Sequence, residues 1–357
     1  MGNLSSKHLM LFILASTLIG IRSYSSIFIN LGGRDTWIFI LLATVIILLF
    51  LVVTFKIIIN CNCYDINLAL FSQYPKFIGT TVLLLFCLGL FLLSIESVVV
   101  FSSSIHTNYF VKTPIWYCMI FFVACSTYVL FQKFNAIKTL VIITVSLTII
   151  GDIFLLILLV KYLDLHELLP IMKNGMTKTN WLCLLSSIGS LSSAVIVFPY
   201  LKYLNKKHAL ITDSIFSMLI CCFFVTTSIV SLISFLGPYR ASNIYFPEYI
   251  QSQRIQIANF LEFGELFYIF RSVSMWFIKY ILCSYGILLL LDKFIKKKGW
   301  FISLYSVITF IISFLICKNQ YTTFQFISNL QYVLIIPCLL IPFLSLLFYK
   351  YRKNRAK

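Results

Sequence analysis

Ionisable side chains are scarce in this sequence. Asp, Glu, Lys and Arg make up 11% of 357 residues, while 61% are hydrophobic. A soluble globular domain carries about 25% charged residues, so that class is excluded. Acids are the scarcest: eleven, against 28 bases, giving a formal charge of +17. The four histidines, His8, His106, His166 and His208, are scattered. These groups form no convincing catalytic pair, and the chain has neither a Gly-rich phosphate loop nor a nucleophile motif. An intramembrane enzyme needs such a cluster, so a non-enzyme without cofactor or metal is expected.

Disulfide frameworks are also missing. The eleven cysteines are odd in number and most sit in apolar runs, as at Cys87, Cys118, Cys183, Cys221 and Cys338. Buried cysteine behaves as a small hydrophobe, so free thiols are expected. "CNCYD" has C-x-C spacing at Cys61 and Cys63, but no second pair and no nearby His, which argues against a metal site. The N-terminus shows one Lys, a long apolar run and no small-residue cleavage site. It is expected to remain as the first span.

Apolar runs are what the chain has in abundance; its mean hydropathy is +0.99. Only a polytopic membrane protein fits. Ten runs reach spanning length: 8–29, 36–59, 78–103, 114–132, 138–160, 181–202, 211–236, 270–291, 300–317 and 328–350. Backbone groups in lipid must be bonded internally, and no run alternates as a membrane barrel strand does. The expected fold is all-α, with residues 1–160 and 161–357 as two five-helix halves of one integral-membrane domain. With the N-terminus inside, the inner segments hold seventeen Lys and Arg, the outer segments ten, and Arg22 lies in the membrane. That places both termini in the cytoplasm. The basic tail, 350–357, then meets anionic headgroups. The charge is a topology signal and implies no nucleic acid partner. Two outer loops exceed simple turns, 161–180 and about 237–269. The second, with Ile255, Ile257, Phe260 and Leu261 in apolar-polar rhythm and Pro247 as punctuation, reads as a hairpin of short helices or a lid.

Two spans carry interruptions. The first contains "IGIRSYSS", with Gly20, Arg22, Ser23 and Tyr24; the sixth contains "SSIGSLSSA", with Gly189 and Ser190, followed by Pro199. Each is the first span of its half. Matching interruptions of this kind point to a transporter-type site on discontinuous helices 1 and 6. Small residues also let membrane helices pack closely, and that reading stands beside it. A mid-span charge costs about 2.5–3.5 kcal/mol on insertion scales, so Arg22 either snorkels outward or has a partner. Glu96 in span 3 and Asp152 in span 5 are the intramembrane acids within its reach. Glu96 is alternatively a carrier of a coupling proton.

The stretch "GGRDTWIFILLA" resembles the turn between spans 1 and 2 of the spore germination permeases, the B-subunits of endospore nutrient germinant receptors, through Arg34, Asp35 and Trp37. Thr113 and Pro114 of "KTPIW", Leu169, Pro170 and Gly175 of "LLPIMKNG", and Pro247 of "YFPEY" resemble further family positions in the same order. One departure is "LEFGEL", Leu261 to Leu266, where Phe263 stands in place of the family's Arg; Arg254 or Arg271 is the alternative substitute. The resemblance implies a relative of the amino acid–polyamine–organocation transporters, with inverted five-span repeats. It implies a place in the spore inner membrane beside A-type and C-type subunits, and a role in sensing a nutrient, often an amino acid. Gly20, Arg22, Ser23, Tyr24, Glu96, Gly189 and Ser190 are the candidate ligand contacts. Two other readings stay open: a proton- or sodium-coupled amino acid transporter using the same pocket, and a scaffolding subunit. For Arg34, Asp35 and Trp37 the competing reading is a turn with an interfacial anchor.

Overall fold

The computed structural model describes residues 4–71, 74–173, 175–205, 209–255 and 263–355. Lys206, Lys207 and His208 of the basic loop, and Ile257, Phe260, Leu261 and Glu262 of the long loop, lie outside the described residues, as do Lys357 and the side chain of Phe263. The helices are α1 (Ser6–Thr17), α2 (Gly20–Ser23), α3 (Ser25–Gly32), α4 (Thr36–Asn60), α5 (Ile66–Leu70), α6 (Lys76–Asn108), α7 (Ile115–Leu130), α8 (Phe134–Leu159), α9 (Lys178–Leu191), α10 (Leu210–Leu236), α11 (Pro238–Asn243), α12 (Pro247–Gln253), α13 (Phe263–Leu290), α14 (Lys298–Ile316), α15 (Gln320–Leu334) and α16 (Ile341–Arg355). No strand occurs among the described residues beyond a single bridge, Leu4 to Leu204.

Local sequence sets the ends. Pro75 and Pro114 precede α6 and α7, and Pro238 and Pro247 open α11 and α12, where a missing N–H costs nothing. Asp65, Thr177 and Asn319 cap α5, α9 and α15 through their side-chain oxygens, satisfying first-turn donors.

Among the described residues, eight helical segments are long and apolar enough to cross a membrane. The protein is therefore an integral, multi-pass membrane protein. The ten spans read from hydropathy are not all reached on length. α7 has 16 residues, and the first run is cut into pieces of 12, 4 and 8 residues. Three segments form the interior: Lys178–Tyr203, Gly264–Leu290 and Lys76–Asn108 are 78%, 72% and 67% buried over their most apolar windows, whereas Lys298–Ile316 is 28% buried. The last therefore presents most of its surface to lipid.

The interruption of span 1 is a true break. Leu18 and Ile19 interrupt the regular helix while keeping right-handed helical angles, and Tyr24 bends the chain at φ −121°, ψ 43°. A freed carbonyl in lipid must find a donor. Ser193 supplies one, its hydroxyl donating to Ser16 O at 2.9 Å. Span 6 behaves differently from the expected gap. It continues without a loop, tightening from α9 into a 3-10 segment over Ser192–Tyr203 that contains Pro199. Ser192 bonds back to Gly189 O, and the single Ser193 hydroxyl proton is shared between Ser16 O and Ser190 O, so local hydroxyls carry the change of winding.

Candidate functional site

Two buried polar clusters sit where the broken span meets the interior helices. In the deeper one, Glu96 of α6 and Lys279 of α13 are both fully buried and pair at 2.8 Å. Tyr24, at the α2–α3 bend, donates its hydroxyl to Glu96 Oε1 at 2.6 Å. Ser190 of α9 lies 3.1 Å from the same hydroxyl, which leaves Ser190 as donor to Tyr24. Gln331 of α15 donates to Glu96 Oε1 at 3.2 Å. Lys279 Nζ lies 4.8 Å from the ring centre of Trp276, one turn away, and the Trp276 indole N–H donates to Ser23 Oγ at 3.1 Å. Five separate elements thus converge on one carboxylate and one ammonium.

The second cluster lies toward the loop end of α13. Arg271 and Lys279 are eight residues apart on that helix, about 12 Å along its axis. Arg22 forks onto Asp152 of α8, at 2.5 and 2.9 Å, and reaches Glu248 of α12 at 3.2 Å. Arg271 contacts Asp152 at 3.2 Å and pairs with Glu248. Ser228 donates to Glu248 at 3.1 Å. All four charged side chains are at least nine-tenths buried. Two cations and two anions alternate, so the cluster is neutral as a whole, the arrangement that makes buried charge tolerable. A cavity of ≈ 30 Å³ adjoins it, lined in part by Ser228, Gln251, Tyr268 and Arg271, with room for about one or two waters. Gln251 Nε2 and Arg271 Nε have no protein partner and are suited to hold such water.

Several expectations change here. Arg22 does not snorkel; it is 5% exposed. Its partners are Asp152 and Glu248, and Glu96 pairs with Lys279 instead. Arg271 and Lys279, counted among the outer-segment bases, fall within the eighth run, 270–291, and are buried inside the bundle at 4% and 0% exposed. Gly20 and Gly189 are close-approach positions. A Cβ on Gly189 would stand 1.8 Å from the Gln331 carbonyl oxygen, and one on Gly20 2.6 Å from Ser190 Oγ. Gly189 therefore sets how closely α9 meets α15. Glu248, Lys279 and Gln331 were missed as site residues. Lys279 had a usable signal, since an ionisable residue inside an apolar run is a functional candidate by default, and Glu248 lies inside the quoted "YFPEY".

The turn residues gather elsewhere, at the loop end. Arg34 donates to Leu169 O at 2.6 Å, and Asp35 accepts from the Met172 N–H at 2.9 Å. Asn180 donates to Gly175 O at 3.1 Å. Arg34, Asp35, Pro170 and Gly175 share the lining of one surface recess of ≈ 420 Å³. Trp37 is half-buried beside them. Thr113 and Pro114 form the separate turn into α7, the Thr113 N–H donating to Phe110 O. These contacts pin the 161–180 loop onto the turn after α3. Cys61 and Cys63 are free thiols, and burial pushes the Cys63 thiol up to about 11, which disfavours the thiolate that a metal needs.

A family model described as "Spore germination protein" matches residues 4–323. The chain belongs to the spore germination protein family. No curated protein matches this germination protein significantly in sequence. In structure it is similar to the manganese transporter of Eremococcus coleocola. A histidine-to-alanine mutant of that transporter superposes with TM-score 0.60 at 14% identity, covering 95% of this chain and 78% of the other. Its complex with an aromatic bis-isothiourea substituted compound gives 0.58 at the same identity and coverage. At that identity the likeness establishes the fold alone: this is a transporter-like membrane protein of the germination family.

Proposed function

We propose that the chain is the membrane-embedded subunit of a nutrient germinant receptor, binding a small nutrient at the Glu96–Lys279 cluster and helping to trigger germination. In this reading it works beside A-type and C-type subunits in the spore inner membrane. Both termini are cytoplasmic, in keeping with the lysine asymmetry, and the two five-span halves are inverted repeats. The observation that carries the reading is a fully buried ion pair at the break in span 1, with Tyr24, Ser190 and Gln331 bonded around it.

The chemistry points to an amino acid. A zwitterion carries one carboxylate and one ammonium, the same two charges the pair presents to itself. Entering between them, it exchanges one internal ion pair for two intermolecular ones, Lys279 to its carboxylate and Glu96 to its ammonium. No net charge is buried, which keeps the desolvation cost down. Gly20, Ser23 and Ser190 bring backbone and hydroxyls to the same place, Arg22 ties this segment to α12 through Glu248, and Gly189 holds α9 close. A ligand shifts the protein between states only by differential affinity for them. Breaking the Glu96–Lys279 pair supplies that difference, because the pair exists in one state and not the other.

A second reading, a proton- or sodium-coupled amino acid transporter, is favoured by the transporter fold. Manganese as cargo does not carry over from the neighbour. Among the described residues no three His, Cys, Asp or Glu side chains are grouped to hold a metal ion, and Lys279 opposes a cation beside Glu96.

The test is germination. Spores lacking the gene are complemented with wild type, Glu96→Gln or Lys279→Met, and dipicolinic acid release is followed on single amino acids, sugars and salts. The expected result is loss of the response to one nutrient class, restored by wild type and by neither variant at equal protein level. Variants that germinate like wild type on every nutrient would overturn the assignment. Accumulation of labelled amino acid in vesicles containing this chain alone would favour the transporter.

A further inference from the structure

At the end of the bundle opposite the Arg34 turn, basic residues collect. Lys202 pairs with Asp65 at 3.2 Å, Lys353 donates to Cys61 O at 2.6 Å, and Asn67 donates to Leu290 O at 3.4 Å. These contacts place the ends of α4, α13 and α16 side by side. The turn from α13 to α14 reads "DKFIKKKG", four lysines against one carboxylate. That carboxylate, Asp292, is taken by Lys298 at 2.7 Å. Lys296 and Lys297 have no ion-pair partner among the described residues.

Directly below them runs a groove of ≈ 700 Å³ between α6, this turn and α14. Its walls include Leu83, Leu84, Phe294 and Trp300, and its rim includes Lys296 and Lys297. Leu84, Phe294 and Trp300 are 52%, 57% and 68% exposed, so they are left largely uncovered by the described residues. Phe294 makes an edge contact with Phe71, 6.5 Å between ring centres.

We propose that this groove binds an anionic diacyl phospholipid. The acyl chains lie on Leu83, Leu84, Phe294 and Trp300, and the headgroup phosphate sits between Lys296 and Lys297. Charge complementarity selects the occupant. An apolar trough alone suits any lipid tail, but two unpaired lysines at its rim reward a negative headgroup. Trp300 lies in the first turn of α14, and tryptophan is enriched near the ends of membrane spans. The first turn of α14 adds N–H groups with no intrahelical acceptor, a further preference for an anion. The site bears on the polar clusters by connection along the chain. The groove begins at Leu291, one residue past the end of the helix that holds Arg271 and Lys279, so a bound lipid braces the foot of that helix.

The test uses the full-length protein purified in neutral detergent. Binding is followed by native mass spectrometry and by the rise in unfolding midpoint. The probes are phosphatidylglycerol, phosphatidylcholine with identical chains, and free glycerol 3-phosphate. The anionic lipid is expected to bind at least about tenfold tighter than phosphatidylcholine, and glycerol 3-phosphate to give no shift at the same concentration. Lys296→Gln with Lys297→Gln is expected to weaken phosphatidylglycerol about 30-fold, with no change in the lipid-free midpoint because both side chains are exposed. Lys350→Gln with Arg355→Gln, on α16, is expected to leave binding intact. Equal binding of the two lipids would overturn the proposal in favour of ordinary annular lipid. An equal loss from the α16 pair would reduce it to diffuse attraction by the basic end. Equal efficacy of glycerol 3-phosphate would make it a phosphate site without a lipid component.

Discussion

Breaking the Glu96–Lys279 pair should cost far more than removing both of its members. At 2.8 Å and an effective dielectric of about 20, the gross attraction is roughly 6 kcal/mol, most of it spent against desolvation. Removing one partner leaves the other buried and uncompensated, which costs about 3–5 kcal/mol, while replacing both with neutral groups of similar volume is often neutral or stabilising. The two single changes should differ. In Lys279→Met, Glu96 keeps donors from Tyr24 and Gln331, each worth about 1.5–3 kcal/mol to a charged acceptor. In Glu96→Gln, Lys279 keeps mainly its contact with the Trp276 ring, worth about 2 kcal/mol when desolvated. Glu96→Gln should therefore be the more damaging, and the double variant should recover most of the loss. For a chain of this size about 2 °C of unfolding midpoint corresponds to 1 kcal/mol. The singles should fall by about 6–10 °C, and the double by less than about 3 °C. The assay is thermal unfolding in detergent with intrinsic tryptophan as probe, all four proteins at one concentration. Singles within 2 °C of wild type, or a double as low as the two losses added, would refute the reasoning. Either result would mean that the two charges are not coupled.

Gly189→Ala should prevent stable assembly or cost more than about 3 kcal/mol, because its Cβ would meet the Gln331 backbone oxygen at 1.8 Å. Gly20→Ala meets a serine hydroxyl that can rotate away and should cost about 1 kcal/mol; expression level and unfolding midpoint compare the two. Arg22→Ala leaves Arg271 alone with Asp152 and Glu248 and should cost about 3–5 kcal/mol, whereas Arg22→Ala with Asp152→Asn should be milder because charge balance returns, again read from the midpoint. Asp35→Ala releases the Met172 N–H at a partly exposed site and should cost about 1 kcal/mol, with faster proteolytic nicking in 161–180 and little change in global unfolding. Cys63 should resist maleimide at pH 7 in the folded protein, since a thiol at about 11 leaves roughly one thiolate in ten thousand; rapid labelling before unfolding would contradict its burial.

The sequence by itself determined the class, the helical fold and the weak point in it. Hydrophobic runs of about 20 residues and scarce charge admit one solvent, lipid, and lipid admits helices because backbone groups there have nowhere else to bond. Gly20 and the serines around Arg22 marked the break in span 1 because their small, hydrogen-bonding side chains serve a chain that leaves the helix. The motif residues from Arg34 to Gly175 indicated the family. Tertiary structure alone decided who pairs with whom. Arg22 had two acids within plausible reach along the sequence, Glu96 and Asp152, and took Asp152 together with Glu248, an acid from a loop helix 226 residues away. Glu96 went to Lys279, 183 residues away. Hydropathy measures only whether a residue enters lipid. It carries no register between helices, and a buried charge is satisfied by geometry across helices, not by neighbours along its own.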